Sequence, residues 1–170
     1  GVPPGMDPNI VNWFRAVDQD RSGQINAMEL SRALQSGSYK NFSEESCNLM
    51  ISMFDQDRSG TINLPEFGQL FQFISQWTAS YRQFDKDNSG TIDEREFNQA
   101  VAQLGYRLSP QFTGLVVYKC APQTRRITLD QFIVANVRIR NLTEAFKAKD
   151  REMKGVVPLS YEDFLNMAFQ

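Results

Sequence analysis

From Asn9 onward, apolar residues recur at steps of three and four, the period of helices that bury one face. The longest case lies between Leu64 and Phe84, where Phe67, Leu70, Phe71, Ile74, Trp77, Tyr81 and Phe84 share one face and predict a single long helix. Polar stretches of twelve residues interrupt the helical pattern at 18–29, 55–66 and 85–96. Each carries an isoleucine at its eighth place (Ile25, Ile62, Ile92) and an apolar residue just after its last (Leu30, Phe67, Phe97). The pattern predicts an all-α fold of repeated helix–loop–helix units, with short antiparallel β-ribbons where two isoleucine segments pair.

The three polar stretches read DQDRSGQINAME, DQDRSGTINLPE and DKDNSGTIDERE. This is the spacing by which a short loop wraps a hard, oxygen-seeking cation before it becomes a helix, the EF-hand calcium loop. In the first, Asp18, Asp20 and Ser22 offer side-chain oxygens at places one, three and five, Gln24 its backbone carbonyl, and Glu29 both carboxylate oxygens. The same roles fall to Asp55, Asp57, Ser59, Thr61 and Glu66, then to Asp85, Asp87, Ser89, Thr91 and Glu96. Gly23, Gly60 and Gly90 stand where the backbone turns sharply. Asp93 gives the third loop a fourth carboxylate where Asn26 and Asn63 stand in the others, which predicts tighter calcium binding there. Pro65 falls in the first turn of the exiting helix, where no amide donor is needed.

Two further units keep the scaffold while their chemistry decays. Aligning Ile127 with the other isoleucines defines a loop at 120–131, with Cys120, Pro122 and Gln131 at ligand places and Arg125 at the turn. It should fold as a hand, with Leu115, Val116, Ile127, Leu129, Phe132 and Ile133 in its core, and bind nothing. At 150–163, Asp150, Glu152, Lys154 and Gly155 mimic places one, three, five and six, but the closing carboxylate, Glu162 or Asp163, comes one or two places late. A lysine at the fifth ligand place repels a cation, so weak or absent binding is expected.

Residues 1–8 form a Gly/Pro-rich stretch that reads as the flexible end of a longer segment, and 9–170 as one domain. No apolar run approaches the roughly 20 residues needed to span a bilayer, and the expected location is cytoplasmic. Cys47 and Cys120 are too few for a disulfide framework and are expected to be buried free thiols. The sequence contains no histidine, which removes Ser-His-Asp and Cys-His catalysis and His-containing zinc sites. Loop carboxylates committed to an ion are not free as acids and bases, so no enzyme is expected, and no basic run coincides with an aromatic platform for nucleic acid. Three divalent ions would move the formal net charge from −2 to about +4; the basic residues are then either the solvated faces of helices or an attraction for acidic partners or an anionic membrane face.

EF-hands pair through the extended segment around place eight. Hands one and two pair through Ile25 and Ile62, hands three and four through Ile92 and Ile127, and the segment 155–157 is left without a mate. A second chain offering the same element completes it, with Val156, Val157, Tyr161, Phe164, Leu165, Ala168 and Phe169 predicted at the dimer interface. Leu49, Met53, Phe73 and Met167 lie off the core faces and are candidates for contacting a target.

Five hands, a Gly/Pro-rich lead-in, merged helices between hands two and three and hands four and five, and a misshapen last hand resemble the penta-EF-hand family over essentially the whole chain. LGYRLSPQF from Leu104, LTEAF from Leu142 and LSYEDF near the end carry the likeness further. The resemblance implies a Ca2+-responsive sensor or adaptor that forms a homodimer, or a heterodimer with another family member, through its fifth hand. It further implies binding of protein targets, peripheral association with endoplasmic reticulum or vesicle membranes, and a role in vesicle transport from the endoplasmic reticulum to the Golgi. A regulatory subunit of a calcium-dependent cysteine protease shares the architecture, and a passive calcium buffer is the third alternative.

Overall fold

The computed structural model describes residues 4–36 and 42–169, so the first three residues of the Gly/Pro-rich stretch and Gln170 lie outside it. The described residues form helices α1 (Pro8–Val17), α2 (Ala27–Ser36), α3 (Glu44–Ser52), α4 (Leu64–Phe84), α5 (Glu94–Gln103), α6 (Pro110–Cys120), α7 (Leu129–Lys149) and α8 (Tyr161–Ala168), with two-residue strands β1 (Ile25–Asn26) and β2 (Thr61–Ile62). Helix boundaries follow from capping chemistry. Asp7 accepts the Asn9 amide at 2.9 Å and Pro8 supplies a preset first turn for α1. Helix α4 starts at a reciprocal capping box: Asn63 Oδ1 accepts the Glu66 amide and Glu66 Oε1 accepts the Asn63 amide, both at 3.0 Å. Pro65 sits in that first turn without loss, as the sequence implies.

Strands β1 and β2 pair antiparallel with Ile25 opposite Ile62, and an antiparallel bridge joins Ile92 to Ile127. These fully buried isoleucines stand at the centre of one continuous apolar core. The long helix α4 threads both halves of that core. Its first half lays Phe67 edge-on to Trp13 and Phe14, at centroid distances of 5.2 and 5.6 Å. Its last turn brings Tyr81 within 5.5 Å of Phe132, and the Tyr81 hydroxyl donates to the Ile127 carbonyl at 3.2 Å. Helix α7 closes back on α4 through Arg140, whose guanidinium lies 5.1 Å from the Phe73 ring centre and 5.8 Å from that of Phe54.

The fourth hand departs from expectation on one face. Ile127, Phe132 and Ile133 are buried and Val116 and Leu129 half-buried, but Leu115 is 50% exposed. The buried stripe of α6 is Thr113 and Val117 instead. Its Ser109 cap fixes the helix phase, and the Thr113 hydroxyl takes a hydrogen bond from Asn98 Nδ2 of α5 at 3.0 Å, so a polar residue holds a core position. Among the target-contact candidates, Leu49, Met53 and Phe73 pack half-buried against the core. Met167 and Leu49 line a groove of about 300 Å³ with Arg138, Asn141, Leu142 and Ala168. Cys47 is buried and Cys120 half-buried, and both are free thiols. No helix among the described residues is long and apolar enough to cross a membrane.

Candidate metal centres

Each of the three intact loops folds around its first aspartate. In loop one, Asp18 is buried; its Oδ1 accepts the Ser22 amide and its Oδ2 the Gly23 amide, both at 2.9 Å. Asp20 Oδ1 accepts the same Ser22 amide at 2.9 Å, and the Ser22 hydroxyl donates to the Gln24 carbonyl at 2.9 Å. The frame repeats in loop two, where Asp55 Oδ2 accepts the Gly60 amide at 2.7 Å, and in loop three, where Asp85 Oδ2 accepts the Gly90 amide at 2.9 Å. These bonds turn the first aspartate of each intact loop toward its own turn. Hydrogen bonds from Ser22, Ser59 and Ser89 hold the carboxyls of Asp20, Asp57 and Asp87 below the usual aspartate range.

The closing glutamates arrive on the first turn of the exiting helices. Asn26 and Glu29, Asn63 and Glu66, and Asp93 and Glu96 exchange amide hydrogen bonds with each other's side chains, so place nine caps the helix that carries place twelve. In loop one, carboxylate oxygens of Asp18, Asp20 and Glu29 all lie within 4.8 Å of one another. Calcium takes oxygen ligands at roughly 2.3–2.6 Å, so oxygens on opposite sides of one ion stand about 5 Å apart. The donor set and its spacing therefore fit Ca2+. Loops one and two are also joined through place seven, where the Thr61 hydroxyl donates to Gln24 Oε1.

The two degenerate loops close through bonds among their own residues. In the fourth, Gln131 Nε2 donates to the Cys120 carbonyl at 3.1 Å, so places twelve and one are linked directly. Arg125 takes the turn place with φ +54°, in the left-handed region that glycine occupies in the intact loops. In the fifth, Asp150 Oδ2 still accepts the Gly155 amide at 2.8 Å. Ser160 caps α8 in a reciprocal box with Asp163, which takes the position the closing glutamates hold in the intact loops and is thereby the closing residue, two places late. Lysines pair with the carboxylates of this loop: Lys154 with Glu152, and Lys149 at the end of α7, whose Nζ lies 3.3 Å from Asp163 Oδ1.

One regular feature of the loops is not legible in the residue types. Place four of loops one, two, three and five adopts φ between +54° and +57° at Arg21, Arg58, Asn88 and Met153, although three of these residue types gave no hint of it. The capping boxes, by contrast, were written in the Asn-x-x-Glu, Asp-x-x-Glu, Thr-x-x-Gln and Ser-x-x-Asp spacings.

Paired helix–loop–helix units with acidic, oxygen-lined loops define an EF-hand calcium-binding protein. Family descriptions agree: residues 9–72 match an EF-hand domain pair, and residues 82–102 an EF hand. Human peflin is 43% identical over 169 residues, covering 98% of this chain and 60% of peflin, and Danio rerio peflin is 44% identical, with 98% and 63% covered. Mouse grancalcin is 37% identical over 163 residues, covering 94% of this chain and 73% of grancalcin. The solved structure of a homologue of programmed cell death 6 protein from Leishmania major Friedlin superposes with a TM-score of 0.72 at 30% identity, covering 94% of this chain and 92% of that one. The chain belongs to the penta-EF-hand family, and it spans about three-fifths of the length of the peflins it matches.

Proposed function

We propose that this chain is a calcium sensor and adaptor whose fifth hand docks onto a second EF-hand chain. The observation that carries the reading is the bare fifth hand. Val156 and Tyr161 are each 77% exposed and Phe169 is 87% exposed, Phe164 is also exposed, and Val157 and Leu165 are half-buried. No residue of α8 is buried, and no backbone ladder bond reaches 156–159 among the described residues. A row of unpaired backbone groups beside exposed aromatic rings favours strand addition from a partner offering the same element.

Calcium is held by Asp18, Asp20, Ser22, Gln24 and Glu29, by Asp55, Asp57, Ser59, Thr61 and Glu66, and by Asp85, Asp87, Ser89, Thr91 and Glu96. Bound there, calcium supplies a charge that draws loop and exiting helix together. Because Glu29, Glu66 and Glu96 sit on first helical turns, a shift of each carboxylate carries its helix and changes the angle within the hand. The chain acts by binding rather than by catalysis, in the cytoplasm and at endoplasmic reticulum or vesicle membranes, in transport toward the Golgi. A net charge of about +4 with three ions bound supports attraction to an anionic surface.

Calorimetry and sedimentation test both halves of the proposal. Calcium uptake should lose one equivalent in each of E29Q, E66Q and E96Q. The chain should sediment as a dimer, alone or with a second penta-EF-hand protein, and F164D should be monomeric. Uptake unchanged by all three substitutions would refute the ligand assignment, and a monomer under every condition would refute the docking role. A calcium-dependent cysteine protease retained in place of a small EF-hand partner would replace the adaptor reading with that of a protease subunit.

A further inference from the structure

We propose that Arg126 sets the calcium threshold of the third loop, weakening that site with a fixed positive charge delivered from the fourth hand. The inference rests on the assignment of loop three as a calcium site. The Ile92–Ile127 bridge, closed by amide–carbonyl bonds of 3.0 and 2.9 Å, lays the two loops side by side. From there Arg126 reaches back to Thr91, with Nε donating to Oγ1 at 2.9 Å and Nη2 donating to the backbone carbonyl at 3.2 Å. That carbonyl is the place-seven oxygen of loop three, the one ligand that every EF-hand loop takes from its main chain.

The first pair of hands supplies the contrast. There the residue reaching place seven of loop one is Thr61, a neutral hydroxyl that bonds to the Gln24 side chain and leaves the Gln24 carbonyl to the Ser22 hydroxyl. In the second pair, the Thr91 carbonyl accepts from the Ser89 hydroxyl at 3.0 Å and from a guanidinium as well. Two effects act in the same direction. The guanidinium draws on lone-pair density that a cation would use, and its charge repels the cation from a short distance.

The arrangement is braced. The neighbouring Arg125 bonds Glu94 of α5 at 2.9 Å and lies 4.7 Å from the Tyr118 ring centre, while Gln131 closes the fourth loop on Cys120. The fourth hand thus has no carboxylate at its ligand places and presents arginines to its neighbour. The extra carboxylate of Asp93 and the charge of Arg126 oppose each other, and the balance places the third site's affinity below what its four carboxylates alone would give.

The test uses the full chain carrying E29Q and E66Q, so that loop three alone binds, with CaCl2 uptake followed by calorimetry and fold checked by circular dichroism. R126Q should bind calcium about fivefold tighter at low salt, and the gain should shrink in 1 M salt, where the screening length falls to about 3 Å. R126K, which keeps the charge but not the fork, should stay within about twofold of the parent. R126Q binding unchanged or weaker would mean that the guanidinium only props the loop, and R126K matching R126Q would remove the charge argument; either overturns the proposal. Uptake in the E29Q/E66Q parent that survives E96Q, or no uptake there at all, would instead overturn the assignment of loop three, and the proposal with it.

Discussion

Tyr81 is the point where the long helix α4 grips the ribbon of hands three and four, and its hydroxyl and ring make separable contributions. The ring is buried, 5.5 Å from Phe132, and the hydroxyl donates to the Ile127 carbonyl at 3.2 Å. That carbonyl also accepts the Ile92 amide at 3.0 Å, so Tyr81→Phe removes one hydrogen bond without orphaning its acceptor. The expected loss is about 1 kcal/mol. For a chain of this length that lowers Tm by about 2–4 °C. Tyr81→Ala adds a cavity and loses the ring contact, and costs about 3–5 kcal/mol.

The hydroxyl also predicts a pH signature. Burial, with Asp85 and Asp130 nearby, pushes the Tyr81 pKa above the ordinary value of 10. A folded-state pKa above the unfolded one means that the stabilisation is complete below pH 10 and is lost as pH rises beyond it. Thermal melts of the calcium-free protein from pH 7 to 11 should therefore show wild type and Y81F converging at the alkaline end. Equal losses in Y81F and Y81A, or no loss in Y81F at neutral pH, would refute the hydrogen-bond assignment.

Further expectations concern the thiols and the last helix. Burial pushes the Cys47 thiol up to about 12, so an aromatic disulfide reagent at pH 8 should label half-buried Cys120 well before Cys47; simultaneous labelling would show that the core around Cys47 opens readily. Ser160→Ala removes the cap of α8, and amide exchange over 161–168 should quicken about fivefold while the core amides are unaffected. Asp163 is held below the usual aspartate range, first by the Ser160 hydroxyl, so the cap should be intact above pH 3.8 and fail as pH falls through the lowered value. Unchanged exchange at 161–168 in both cases would show that α8 is held by something other than its cap.

Much of this protein was legible in its letters because an EF-hand loop is a local device. Ligand places, turn glycine, place-eight isoleucine and capping box all lie within twelve consecutive residues, so sequence spacing is spatial spacing. The same holds for α4, whose twenty-one residues follow directly from their apolar period and from Asn63 and Glu66. Pairing through Ile25–Ile62 and Ile92–Ile127 was equally readable, since a lone strand leaves backbone groups unbonded.

Tertiary structure decided what depends on phase and on distant neighbours. Leu115 faces outward because the Ser109 cap and the Asn98–Thr113 bond rotate α6 so that a threonine takes the buried position, which no count of apolar letters could reveal. Arg126 looks like an ordinary surface cation until the ribbon brings it against Thr91, thirty-five residues away in the chain. Local chemistry fixed the loops and the count of hands; the packing of one loop against another, which sets each side chain's electrostatic surroundings, exists only once the chain has folded.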